Sequence, residues 1–430
     1  MFPDPSAQVT VKRSSGLSLI VTATTFSGVV GYLITWFVAR QVGPASYAVF
    51  AVFWAALYLI VSGLSGIQQE VTRATRAVAT VVTPRIPRVR NFALVAAPAV
   101  FIVIVATAPL WVDRVFPSEG WRLVWPLAVG TASYVLVAIV CGSLYGLSQW
   151  WSLAWMIVVD PVLRFVGLVV GLMLTSDVVV LAWVVAVPLP ATVVLIWPLI
   201  RRRVVGRSDI DAGYRQLTWN MARTMLAAAS MGALISGFPL LLGLTSPTDP
   251  PAEVGVLILA ITLTRAPLIV TTMSLQSYLI IRFRDHPGAL RNTFLGLQGL
   301  VLASAVMLAL LGWLVGPTVF VALFGEVFAP AGWLIAALVG SSALVAALCI
   351  CAPVALARGQ HFLYSAGWFV AALATIAALV LPMDLVARTV LALMVGPAAG
   401  LAVHGISLIW LARWSRPPSR WKVSHQLSGR

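Results

Sequence analysis

Apolar runs long enough to cross a bilayer follow one another almost without pause along this chain. A helix rises about 1.5 Å per residue and needs about 20 apolar residues to span the hydrocarbon core. Runs of that length read out near 16–40, 45–67, 92–112, 122–146, 152–174 and 178–200. A second set follows near 219–243, 253–281, 293–315, 330–357, 362–382 and 386–412. Barrel strands show short alternation instead, so the expectation is an all-α integral membrane protein with about twelve transmembrane helices. A water-soluble globule is excluded, because 60% of the 430 residues are hydrophobic and 10% are charged, against roughly a quarter charged in soluble domains. The run from Gly16 is long enough to span and no small-residue cleavage site follows it, so it reads as a helix and not as a signal peptide.

The net charge of +15 would suggest nucleic acid on a soluble chain. Here the basic residues lie in short loops between apolar runs, so topology explains them and no nucleic-acid partner is expected. With the N-terminus inside, Lys12, Arg13, Arg73, Arg76, Arg85, Arg88, Arg90, the arginines of 201–215 and those of the tail all fall on the cytoplasmic side. The other side receives Arg40, Arg114, Arg122 and Arg388 together with Asp113, Glu119, Asp177, Asp249, Glu253, Glu326 and Asp384. Arg164 and Arg265 fall within spans. The bias predicts a multi-pass plasma-membrane protein with both termini in the cytoplasm.

The chain also repeats itself at half its length. Gly43-Pro44-Ala45-Ser46-Tyr47-Ala48-Val49-Phe50 aligns with Pro250-Pro251-Ala252-Glu253-Val254-Gly255-Val256-Leu257, and the same offset carries Gln69 onto Gln276. Val129-Gly130-Thr131 through Cys141 matches Val339-Gly340-Ser341 through Cys351. Six helices per half is an even number, so the halves run in the same sense about an axis along the membrane normal. The expected organisation is a six-helix bundle over 1–200, a basic linker over 201–218, a second bundle over 219–412 and a tail over 413–430. Two parallel bundles around a central cleft describe a transporter. The major facilitator pattern wants Gly-x-x-x-Asp-Arg after the second helix, and Gln68-Gln69-Glu70-Val71-Thr72-Arg73-Ala74-Thr75-Arg76 does not supply it.

Ala39-Arg40-Gln41-Val42-Gly43-Pro44-Ala45-Ser46-Tyr47-Ala48-Val49-Phe50 resembles the Ala-Arg-x-Leu-Gly-Pro-x-x-Tyr-Gly-x-Phe hairpin of the polysaccharide transporter family, with Ala48 in place of the commoner glycine. These are the Wzx-type flippases of lipid-linked oligosaccharides, in the MOP superfamily. Gly66-Ile67-Gln68-Gln69-Glu70-Val71-Thr72-Arg73 resembles the same family's second-helix ending, and Leu275-Gln276 its eighth. The resemblance implies a MATE-like fold with helices two and eight flanking the cleft. It also implies a lipid-linked saccharide and membrane lipids as partners, beside envelope glycosyltransferases or a polymerase.

No Walker A loop, His–Glu–His zinc pattern or paired-carboxylate site is present, so neither an enzyme nor an ATP-driven pump is indicated, and no cofactor or metal is expected. Cys141, Cys349 and Cys351 lack metal-ligand spacing and read as packing residues. Ionisable residues inside spans carry the functional information. Arg265 lies near the middle of the eighth run, either as a substrate-binding cation or as a buried arginine held by carbonyls. Pro267 beside it favours a kink, and with Gly43 and Pro44 it is a gating candidate. Asp160 and Arg164 form an i,i+4 pair that either neutralises itself or lets Asp160 carry a coupling ion. Gln69, Gln276 and Arg73 are candidate head-group contacts, with helix-to-helix hydrogen bonding as the alternative for the two amides. Gly142/Gly146, Gly167/Gly171 and Gly396/Gly400 have the spacing of close helix packing.

The leading expectation is export of an anionic polyprenyl-linked saccharide by alternating access. Its rivals are a cation-coupled multidrug antiporter of the same superfamily and a non-transporting scaffold. The antiporters typically carry an acid in their first helix, whereas Ser18 through Ala39 contains none. Topology is tested directly by reporter fusions. Fusions to the tail and within 201–215 are expected to report cytoplasm, and one within 244–252 the outside. A tail that reports the outside removes the twelve-helix arrangement.

Overall fold

Hydrocarbon offers the backbone no hydrogen-bond partner, so spanning segments fold as helices, and helices account for nearly all of this computed structural model. It describes residues 5–77, 88–204, 208–210, 214–285, 290–357 and 361–414. The helices are α1 (Pro5–Ala74), α2 (Arg88–Thr107), the short α3 (Val112–Val115), α4 (Trp121–Gly146), α5 (Trp150–Leu174), α6 (Val178–Ala186) and α7 (Pro188–Val204). There follow α8 (Tyr214–Ile235), α9 (Phe238–Thr245), α10 (Pro251–Asp285), α11 (Leu290–Phe324), α12 (Gly332–Ala357), α13 (His361–Leu379) and α14 (Leu385–Trp414). Two three-residue strands, β1 (Thr75–Ala77) and β2 (Ser208–Ile210), pair antiparallel with Arg76 opposite Asp209.

Among the described residues, nine helices pass a length-and-hydropathy test for crossing a membrane. One of them, Ser18–Ala74, has 57 residues. At about 1.5 Å per residue that is far longer than a bilayer is thick, and its helical run is interrupted at Gly43 (φ 73°, ψ 170°). It therefore supplies two crossings, a first limb before Gly43 and a second limb after it. The bent pair α8–α9 and the 35-residue α10 complete twelve crossings. Gly43 occupies the left-handed region, where an L side chain is strained and the hairpin needs its turn.

Contacts between loops fix the sidedness of these crossings relative to one another. Arg122 after α3 pairs with Glu119 and with Asp177 before α6, at 2.8 and 2.9 Å. Arg388 at the start of α14 pairs with Asp249 and reaches Ser246 after α9. Tyr47 meets Phe328 after α11 edge to face, with ring centroids 6.3 Å apart. These turns share one face, called here the acidic face. The β1–β2 ribbon joins the chain after the second limb to the chain before α8 on the opposite, basic face.

Helices one to six pack around α4, and the last six around α12 and α14. The seam between the sets is lined by α1 on one side and by α8, α9 and α10 on the other. Glycines with the predicted spacing do admit neighbours: Gly142 faces Val71, Gly146 faces Thr75, Gly167 and Gly171 face Val184, and Gly400 faces the Gly367 backbone. At the acidic end of the seam the two repeat-related turns meet, because Gly255 lies against the Pro44 carbonyl. Gly255 occupies the place of Ala48 in the repeat, so the glycine of the family hairpin is kept in the second half.

Three features differ from the sequence reading. The ninth crossing, α11, runs to Phe324 and not to 315, passing through Gly316 and Pro317, since proline and glycine are tolerated in membrane helices. The seventh crossing is bent by 69° at residues 236–237. Pro239 lacks an N–H to continue the preceding helix and sits instead in the first turn of α9, where that N–H is not needed. By contrast α10 keeps its helical assignment through position 267. The stretch 201–218, expected as linker, is helical to Val204 and again from Tyr214.

Gly255→Ala is expected to lower the melting temperature of the detergent-solubilised protein. Its Cβ would collide with the Pro44 carbonyl oxygen, and overpacking of that kind costs about 1–3 kcal/mol. Gly296→Ala, where nothing lies within 4 Å, is the control and should leave the transition unchanged or raise it.

Candidate functional site

Helices that border the seam carry most of the singled-out polar side chains. The first limb of α1 has Ser18, Thr22, Thr25, Val29, Trp36 and Arg40 on one face, because these positions recur at i+3, i+4 and i+7. At the acidic end this face touches α11, where Trp36 and Arg40 both donate to the Leu323 carbonyl. Toward the basic face its Ser18, Thr22 and Thr25 are exposed. The first limb of α1 thus meets α11 at its acidic end, and toward the basic face the hydroxyl-bearing part of the same helix face is uncovered. The exposed Ser/Thr stripe was readable in the sequence as hydroxyls at helical spacing in an apolar run, and went unnoticed.

Arg265 sits about 21 Å along α10 from its start, and is 4% exposed. Its Nη2 donates to the Leu234 carbonyl at 3.2 Å, and its guanidinium lies 5.5 Å from the centroid of the Phe238 ring. Leu234 belongs to the last turn of α8, whose carbonyls have no intrahelical donors beyond the bend. Nε of Arg265 has no hydrogen-bond partner among the described residues. One carbonyl and one ring face are a thin environment for a buried cation.

Asp160 and Arg164 come together as their spacing predicts, with Nη2 2.9 Å from Oδ1. Arg164 also donates through Nε to the Val185 carbonyl at 3.2 Å and through Nη1 to the Tyr58 hydroxyl. The rings of Trp54 and Tyr58, stacked 5.1 Å apart, both lie under its guanidinium. The side chain of Arg164 is 3% exposed and that of Asp160 is 22% exposed. This joint ties α5 to the second limb of α1 and to α6 inside the first half. Its aromatic partners Trp54 and Tyr58, about 100 residues away, carry no local signal in the sequence.

The remaining candidates are scattered. Gln69 is exposed near the basic end of the second limb. Arg73 is bound through Nε to Glu70 at 2.9 Å, and Glu70, buried, was missed as its partner. The side chains of Gln276 and Pro267 lie outside the described residues, as does the cluster Arg85–Arg90; of 201–207, the Arg201 side chain is described and is exposed. Gly43 and Pro44 form the acidic-face turn against Gly255. Cys141, Cys349 and Cys351 are buried and are not joined in a disulfide. No cluster of three His, Cys, Asp or Glu side chains suited to a metal ion occurs among the described residues.

No protein-family model matches the chain. Sequence comparison finds the uncharacterized protein Mb3654 of Mycobacterium bovis, 30% identical over 399 residues and 92% of each chain. The uncharacterized protein Rv3630 of Mycobacterium tuberculosis matches to the same extent. A further M. tuberculosis protein, the uncharacterized protein Rv1510, is 30% identical over 379 residues and 88% of each chain. Among solved structures, an inward-facing multidrug resistance MATE family transporter of the MOP superfamily superposes with a TM-score of 0.68. It covers 90% of this chain and 96% of its own, at 14% identity. The lipid II flippase MurJ, in an inward closed conformation, superposes with a TM-score of 0.63 over 94% of each chain at 12% identity. The fold is therefore that of the MATE and MurJ transporters, and by sequence the chain belongs to the same family as these uncharacterized mycobacterial proteins.

Proposed function

We propose that this protein is a flippase that moves an anionic, polyprenyl-linked saccharide from the inner to the outer leaflet of the plasma membrane. The observation that carries this reading is Arg265, a mid-membrane guanidinium beside the seam with, among the described residues, a single carbonyl acceptor and no partner for Nε. A phosphate oxygen is the acceptor such a group lacks. The basic face, with its arginine-rich loops, is read as cytoplasmic, and the cleft opens there. The saccharide head enters between the first limb of α1 and the second half, past the exposed hydroxyls of Ser18, Thr22 and Thr25, while the lipid tail stays in the bilayer. Gln69 and Arg73 stand at the basic end of this route, and Gln276 is read as the matching amide in the second half. Rocking of the halves then opens the cleft on the acidic face. Moving an anion outward across an inside-negative membrane is favourable by about 2.3 kcal/mol per charge per 100 mV, so no coupling-ion site is required.

A second reading, cation-coupled drug export, draws on Asp160, whose carboxylate is partly exposed near the middle of α5. Arg164 neutralises it, and a cationic drug in the seam would meet Arg265. Two experiments separate the readings. Arg265→Ala is expected to weaken substrate handling by one to two orders of magnitude, from a charge-assisted contact contributing about 1.5–3 kcal/mol. Arg265→Lys should restore part of it, since lysine lacks the planar fork. The assay is complementation of a deletion strain, scored by lipid-linked precursor held on the cytoplasmic leaflet at equal membrane abundance. Full complementation by a well-expressed Arg265→Ala removes this residue from the site. In a strain stripped of efflux pumps, the protein should confer no resistance to cationic dyes. Gradient-dependent resistance that Asp160→Asn abolishes would establish the second reading instead. Asp160→Asn should also lower the melting temperature, because an unpaired Arg164 costs roughly 2–3 kcal/mol.

A further inference from the structure

The hairpin that carries the family resemblance has a mechanical role that the substrate site does not explain. Trp36 Nε1 donates to the Leu323 carbonyl at 3.0 Å, and Arg40 Nη1 donates to the same oxygen at 3.2 Å. The two donors stand one turn apart on the first limb of α1, and the acceptor is the penultimate residue of α11, in the other half. Gly325 follows with φ 90° and ends that helix. The last carbonyls of a helix lack intrahelical donors and carry the negative end of its dipole. An indole N–H and a guanidinium therefore meet an acceptor that α11 cannot satisfy itself. Past the Gly43 turn, Pro44 lies against Gly255 and Tyr47 against Phe328, so these contacts of the turn with the second half gather at one level with the Leu323 bond, while the second limb also packs on α8 farther down. Farther down the same face of α1, Ser18, Thr22 and Thr25 are exposed.

We propose that Trp36 and Arg40 are the latch of the outer gate. Their shared bond to Leu323 holds the halves together at the acidic face and is lost when the cleft opens there. The proposal rests on the alternating-access reading, but it concerns the gate and not the cargo. Arg40, Gly43, Pro44 and Tyr47 of the hairpin motif are then gate parts, the donor, the turn, the lid over Gly255 and the aromatic stop.

The test uses a reporter cysteine, Thr25→Cys, in a chain whose three native cysteines are alanine, labelled with a membrane-impermeant maleimide from either face in sealed vesicles of known orientation. The unlatched variants are Trp36→Phe, which keeps the ring without the donor, Arg40→Gln, and the pair together. With the latch intact, labelling is expected from the basic face. Each single variant should raise labelling from the acidic face about threefold to tenfold, and the double variant more, with a matching fall from the basic face. Arg40→Lys should behave more nearly like the native chain, since it keeps a cation at the end of α11. Leu57→Cys, buried inside the first half against Gly130, reports general loosening. Unchanged rates from both faces in a folded double variant would overturn the latch. So would a rise at Leu57→Cys equal to that at Thr25→Cys. Because labelling needs no substrate, failure here leaves the Arg265 complementation assay to decide the cargo separately.

Discussion

A helix that ends or breaks leaves carbonyls without intrahelical donors, and among the described residues arginine meets that constraint three times. Arg265 donates to Leu234, Arg164 to Val185 and Arg40 to Leu323. Each acceptor is the penultimate residue of its helix: α8 before the bend ahead of Pro239, α6 before Pro188 and Pro190, and α11 before Gly325. Pro and Gly make the breaks, and the negative end of each interrupted helix attracts a cation. The three arginines differ in what else surrounds them. Arg164 has a carboxylate, a hydroxyl and two rings, so its charge is compensated within the first half. Arg40 is exposed and shares its acceptor with Trp36. Arg265 has a ring face and one carbonyl but no anion among the described residues, and that shortfall is why it is the candidate for an anionic ligand.

Local signals in the sequence reached far. The run lengths gave the crossings, the Gly43-Pro44 dipeptide gave the first hairpin, and the i,i+4 spacing gave the Asp160–Arg164 pair. The repeat placed Gly43–Phe50 opposite Pro250–Leu257, and in space Pro44 and Gly255 of these segments touch. What escaped were relations between distant positions. The carbonyl that holds Arg265 lies 31 residues away and the one that holds Arg40 lies 283 residues away. A backbone oxygen carries no residue signature, so no reading of side-chain types finds it. The bend of the seventh crossing had a local signal in Pro239, two residues after Gly237. Run length placed the end of α11 near 315, whereas the helix continues to Phe324 through Gly316 and Pro317, which membrane helices tolerate.

The two halves share their plan and divide their chemistry unequally. Asp160 gives the first half a carboxylate well inside a span, and Arg164 absorbs it. The second half presents Arg265 and, on α14, the buried His404, whose Nε2 has no hydrogen-bond partner among the described residues. A transporter of anions can be asymmetric in this way, with one half electrically closed on itself and the other left short of negative charge.

The β1–β2 ribbon sets a limit on how far the halves can part. Ile210 is held in the ribbon beside the end of the second limb of α1, and Tyr214 begins α8. Four peptide steps separate them, and a fully extended chain gains at most about 3.3–3.6 Å per step. While the ribbon stays paired, the start of α8 is leashed within about 14 Å of the first half. Any wider gape on the basic face has to unzip the ribbon first, so six strand residues fix the stroke length of a molecule whose other moving parts are helices.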